Sequence, residues 1–230
     1  MDIQWHGLSC FTLRGKAGTI VTDPYDAKTA GLKLPKMSAD IVLANSDSDS
    51  HDEVSGFGAE GKNSAVRVFD WPGEYEAKTI IVQGISAYDR PRDKEDAKED
   101  SKKDEAKRVI IFTVQLDGFR ICHLSNIGHK LTTEMLEMIG DVDILLIPVG
   151  GSCCLDAKKA HEVIEQLDPR VVIPMYYKVP GLKLPVAEVD AFLKEVGLHA
   201  PAREKVLKFA MPSALPQEQT EFKILEPALG

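Results

Sequence analysis

The first quarter of the chain alternates apolar and polar residues over Ile3 to Trp5, Ser9 to Leu13 and Thr19 to Thr22, with Gly7, Gly15 and Gly18 between the runs. A period of two marks half-buried strands and the glycines mark turns, so the pattern predicts a meander. Asp23 and Pro24 of "TDPYD" stop the third strand, and "ADIVLA" supplies another short apolar run. Further strands are predicted at Val66 to Phe69 and Thr79 to Val82, with "WPGEY" as a tight turn between them. "RVIIFTVQLDGFRICHL" holds two apolar runs joined by Asp117-Gly118, the dipeptide suited to a tight hairpin.

After the hairpin the period changes. Leu136 and Ile139 fit a short helix opened by Thr132, and "DVDILLIPVGG" reads as a buried strand ending in glycines. Asp156 can cap a helix whose Ala160, Val163, Ile164 and Leu167 fall on one face. The strand "VVIPM", a helix over Val186 to Val196, and strand candidates at Val206 to Phe209 and Glu221 to Leu225 complete the pattern. A meander followed by strands that alternate with helices suits a sheet-rich α/β layered fold, with chemistry in loops at the carboxyl ends of strands. No internal linker interrupts the chain, so residues 1-230 are read as one domain. Arg90 to Arg108 holds almost nothing that could be buried and mixes both charge signs, which predicts a solvated surface loop over 90-108.

With 43% hydrophobic residues in 230, the chain can bury a core without disulfide or metal staples. It has no run near the roughly 20 apolar residues of a membrane span, and no basic-then-apolar amino terminus. No membrane partner is expected, and the expected location is the cytoplasm. Cys10, Cys122, Cys153 and Cys154 are expected as reduced thiols, because adjacent cysteines rarely bridge each other. A formal charge of -8 argues against nucleic acid as the main partner.

Polar clusters follow several strands: Asp47, Asp49, His51 and Asp52 after "DIVLA"; Asp89 after "GISAY"; Ser125, Asn126 and His129 after "FRICHL"; Tyr176 and Tyr177 after "VVIPM". Each alone has an ordinary explanation as turn chemistry. If the strand ends share one rim, the clusters converge. Cys153 and Cys154 follow "VGGS" with no neighbouring base or positive charge to activate a thiol, so packing is expected of them. His123 is read within a strand, and His161 and His199 on helices, at the core edge or surface.

The ordered phrases "WHGLSCF", "TDPYD", "ADIVLANSDSDSH", "FDWPGEYE", "GISAYD", "HLSNIGHKLT", "DVDILLIPVGG" and "VVIPMYYK" closely resemble the metallo-β-lactamase superfamily, in particular its small bacterial Zn-dependent hydrolases. The resemblance spans nearly the whole chain. It implies a four-layer αββα sandwich with two metal ions, usually zinc, at one edge of the sheets.

The ligand positions implied by that resemblance mostly differ. Placed without a gap, the superfamily's His-x-His-x-Asp-His loop falls at Ser46, Ser48, Ser50 and His51, and the last alone matches. The histidine of the third ligand segment corresponds to Asp89, the bridging aspartate to Asn126, and the final histidine to Tyr176. His129 keeps the histidine of its phrase, and Leu8 stands where many relatives have a further histidine. Neutral serine, asparagine and tyrosine are poor substitutes for the anionic or imidazole ligands zinc needs, so no metal cofactor is expected. Without metal-bound hydroxide the family's reaction loses its nucleophile.

Shifted by one residue, the loop reads Asp47-x-Asp49-x-His51-Asp52, an oxygen-rich set that with Asp89 and His129 would suit one divalent ion such as Zn, Mn or Mg. The expected function is therefore a binding or structural role for a dismantled site, with a small molecule, a protein or a second copy as partner. The alternative is an active hydrolase of phosphoesters, lactones or amides with a relocated site. A nucleic-acid-processing role is disfavoured, because no basic, aromatic-rich segment accompanies the net charge.

Overall fold

In the computed structural model, which describes residues 1–45, 57, 65–90 and 106–230, the predicted meander forms the first of two large sheets. Its strands are β1 (Asp2–Trp5), β2 (Phe11–Arg14), β3 (Thr19–Thr22), β4 (Ile41–Leu43) and β5 (Arg67–Phe69). β1 to β3 run antiparallel, whereas β3, β4 and β5 are parallel. The second sheet takes β6 (Gly73–Ala77), β7 (Ile80–Tyr88), β8 (Arg108–Leu116), β9 (Phe119–His123), β10 (Ile144–Pro148) and β11 (Val171–Met175) in spatial order, antiparallel to β9 and parallel from there. Of the late strands, β12 (Arg203–Glu204) pairs with β15 (Ile224–Leu225), β13 (Leu207–Lys208) joins the first sheet beside β1, and β14 (Glu221–Phe222) joins the second beside β11.

Helices α1 (Ala27–Ala30), α2 (Thr133–Ile139), α3 (Ala157–Leu167) and α4 (Asp190–Glu195) complete the α/β sandwich implied by the resemblance. Thr132 caps α2 by accepting from Met135 N, and Asp156 caps α3 by accepting from Lys159 N, which satisfies otherwise orphaned first-turn amides. The α3 stripe Ala160, Val163, Ile164 and Leu167 is buried as its spacing predicts. Trp5, Phe11, Ile41, Phe112, Ile147 and Met175, drawn from both sheets, belong to one hydrophobic cluster.

Five expectations change, the first being that His123 lies fully buried within β9 and not at the core edge or surface. "GEY" of the expected turn is strand: Gly73–Ala77 pairs with β7, and the reversal falls at Lys78 and Thr79, both left-handed (φ 52° and 64°). Pro72 and Gly73 masked an alternation in which Glu74 and Glu76 face solvent while Tyr75 stacks on Phe69 with ring centroids 4.2 Å apart. The helix expected over Val186 to Val196 is cut to Asp190–Glu195, because Ala187 is bound elsewhere: its N–H donates to Gly150 O and its O accepts from Lys178 N, both at 2.8 Å. His199 therefore lies beyond α4 rather than on a helix. Finally, Arg108 belongs to β8 and not to the charged surface loop; most of that segment, 91–105, lies outside the described residues.

Candidate functional site

The loops after β3, β4 and β9 meet in a buried polar network that joins the two sheets. Asn45 donates from Nδ2 to Asp23 Oδ1 and to Ser125 Oγ, both at 2.8 Å, and its Oδ1 accepts from Ile110 N. Ser125 Oγ donates to Ile110 O at 2.9 Å and lies 3.3 Å from His123 Nδ1. The opposite nitrogen of His123 donates to Ser9 O at 2.8 Å, an oxygen that also accepts from Thr22 Oγ1 at 2.8 Å. Asp23, Asn45, His123 and Ser125 are all buried. Burial lowers the His123 pKa, against the opposing pull of Asp23 and the Ser9 carbonyl, and burial with the Asp23 charge raises the Cys10 thiol well above its usual value. Among the described residues, Asp23 Oδ2 and Asn126 Oδ1 are buried without a hydrogen-bond partner.

A second group of loops converges around Cys153. Its thiol is pushed up by burial and by the nearby Asp89 carboxylate, while a hydrogen bond from the Tyr176 side chain works the other way. Two glycines permit this convergence. A Cβ on Gly128 would lie 1.7 Å from Asp89 O, and one on Gly150 would lie 2.2 Å from Tyr176 O. Leu8 reaches the same region: its carbonyl accepts from Tyr176 N at 3.0 Å. Cys154 is buried, with its Sγ 3.5 Å from Gly151 O and Leu155 O, and all four cysteines are free.

The predicted positions are thus partly brought together. Tyr176 bonds the Cys153 thiol, which also feels the Asp89 charge, Asn126 sits beside the Ser125 network, and Leu8 touches Tyr176. Tyr177 faces away, packed on Trp5 with centroids 4.7 Å apart and donating to Leu225 O. Ser46, Asp47, Ser48, Asp49, Ser50, His51 and Asp52 lie outside the described residues.

His129 is engaged by backbone on both sides: Nδ1 donates to Lys130 O at 2.7 Å and Nε2 accepts from Tyr88 N at 3.2 Å. Asp89 Oδ1 accepts from Lys107 N at 2.9 Å and lies 3.5 Å from Arg90 Nε. A binuclear zinc centre needs several carboxylate, imidazole or thiolate donors aimed at common points. Among the described residues no three His, Cys, Asp or Glu side chains are so grouped, and those present do not fit such a centre.

Sequence reasoning passed over Asp23, taken only as a strand stop, and Asn45, taken as the start of a polar loop. The strand-end placement of both was visible; their partners, 80 residues apart for Asn45 and Ser125, were not.

A profile of the beta-lactamase superfamily domain matches residues 2–176. A UPF0173 metal-dependent hydrolase of Thermoplasma acidophilum is 27% identical over 188 residues, covering 77% of this chain and 83% of the relative. A UPF0173 protein of Pyrococcus abyssi is 23% identical over 192 residues, covering 79% and 85%. The crystal structure of a protein from Thermotoga maritima, described as a Zn-dependent hydrolase of the metallo-β-lactamase superfamily, matches with a TM-score of 0.71 and 29% identity over 98% of both chains. With the profile spanning most of the chain and the whole sandwich shared, this chain belongs to the metallo-β-lactamase superfamily.

Proposed function

We propose that this protein is a metal-dependent hydrolase homologue whose binuclear site has been dismantled, and that it now acts by binding a small molecule or protein partner. The observation that carries this reading is the rim backbone. Leu8 and Tyr176 stand where the resemblance places histidines, yet both keep left-handed φ values of 47° and 57°. Bulky side chains in that region cost roughly 1–2 kcal/mol each, and such strain collects at functional sites. A strained backbone at positions occupied by leucine and tyrosine fits the remnant of a reactive centre. The intact core patterning argues that the folded product is still used. Free thiols at all four cysteines favour the cytoplasm.

The test is elemental analysis of protein purified without chelator and dialysed against zinc, manganese and magnesium in turn. Metal well below one equivalent per chain, with no hydrolysis of phosphoester, lactone or amide substrates, is the expected result. Near-stoichiometric metal that disappears in an Asp49→Ala, His51→Ala double variant would overturn it in favour of a relocated oxygen-rich site at Asp47, Asp49, His51 and Asp89.

A further inference from the structure

We propose that two copies of this chain associate about a two-fold axis through the open face of the second sheet, along the row Glu76, Ile81, Gln115 and Arg120. These residues are direct cross-strand partners on β6, β7, β8 and β9, so their side chains share one face. The row starts where the helix cover ends. A Cβ on Gly140, the C-cap of α2, would stand 3.1 Å from Arg120 Nη2 and 3.4 Å from its Cζ and Nη1, so the guanidinium is seated face-on against that turn. Gln115 and Glu76 are exposed, and Ile81 between them is 46% exposed. The row lies seven residues, roughly 23 Å, along β7 and β8 from Tyr88 and Arg108, at the opposite end of the sheet from the candidate site.

The ends of the row carry opposite charges that cannot meet within one chain, because they stand three strand spacings, roughly 14 Å, apart. Among the described residues neither side chain has an ion-pair partner. Arg67 reaches the Glu76 carbonyl at 3.5 Å rather than its carboxylate, and the Asp143 carboxylate accepts from the Arg120 backbone N–H at 2.8 Å and lies 3.6 Å from Arg170. Arg120 Nε is buried with no acceptor. A guanidinium that has given up water without meeting a carboxylate gains from one supplied by another chain. An antiparallel face left to water needs polar side chains and nothing more. An isoleucine and an amide between an unpaired acid and an unpaired base form instead a row that is its own complement. Rotation by 180° about an axis lying along the strands reverses the row, setting Ile81 and Gln115 against the same pair of the second copy and bringing each Arg120 to the other copy's Glu76. The same rotation places α2 of each copy beside the edge that β6 leaves open in the other.

The narrow patch and a charge of -8 on each chain set the association at the weak end. Sedimentation equilibrium of the full chain should show monomer passing to dimer with a dissociation constant on the order of 100 µM. Glu76→Arg and Arg120→Glu each place like charges face to face twice per dimer, and each alone should weaken association at least about tenfold. Mixing the two folded variants restores both attractions, so the mixture should dimerise as the unaltered chain does. A merely structural role for either residue gives no such rescue. Glu76 is exposed on an edge strand, so its reversal tests the contact even where Arg120, packed on Gly140, does not tolerate one. A chain that stays monomeric at about 1 mM, a dimer unmoved by Glu76→Arg, or a mixture of folded variants no more associated than its components would overturn the proposal. Metal does not enter the readout, so this inference and the dismantled-site reading fail separately.

Discussion

Asn45 shows how much one side chain can hold. It bridges Asp23 on the first sheet with Ser125 and the Ile110 amide on the second, and it is the partner of the one paired Asp23 oxygen. Asn45→Ala would leave a buried carboxylate and a buried amide unpaired together. Each unsatisfied buried group costs about 1–3 kcal/mol, so a loss of about 3 kcal/mol is expected in urea unfolding. A loss below about 1 kcal/mol would mean that the network is not a clamp. In the sequence Asn45 was one more polar residue at the head of a serine and aspartate loop. Gly128 and Gly150 were equally mute: a glycine announces a close approach without naming what approaches, here Asp89 O and Tyr176 O.

Among the elements, those set by local chemistry were legible. Asp117 and Gly118 take φ of 54° and 85°, the paired left-handed conformation of a two-residue hairpin turn, as the dipeptide predicts. Gly118→Val forces a branched side chain into that conformation. It should cost about 1–2 kcal/mol, and a denaturation midpoint unchanged from wild type would contradict the turn's role in holding β8 against β9. The caps Thr132 and Asp156 were legible for the same reason, since a cap and its amide lie three residues apart. β6 and the start of α4 were not, because the β7 ladder and the Gly150 carbonyl decide them from distant parts of the chain.

At the scale of the whole molecule, buried titratable groups set the response to acid. Burial lowers the pKa of His6 and of His123, against the backbone bond to Ala228 in one and the Asp23 charge in the other. An imidazole held neutral in the fold takes up protons more readily once unfolded. The stability it contributes is whole above the unfolded value of about 6.5 and is lost as pH falls from there toward the lowered native value. Burial alone would raise Asp40, but Lys78 and the Thr19 N–H hold its carboxyl below the usual range, so its contribution is lost further down, below about pH 4. Urea midpoints should therefore fall between about pH 7 and pH 5, and His6→Asn should flatten part of that slope. No described helix is long and apolar enough to cross a membrane.

The sequence by itself determined most of the strands, the hairpin, two capped helices and the superfamily, because alternation, turn dipeptides and caps act over a few residues and the ordered phrases record them. Tertiary structure alone decided that Asp23 and Asn45 hold the sheets together, that His129 spends both nitrogens on backbone, and that the Tyr176 side chain reaches the Cys153 thiol. Apart from the bond from His129 to its neighbour Lys130, these are contacts between residues tens of positions apart. Their identity depends on sheet order and register, which bring strand ends to one rim and which no local pattern encodes.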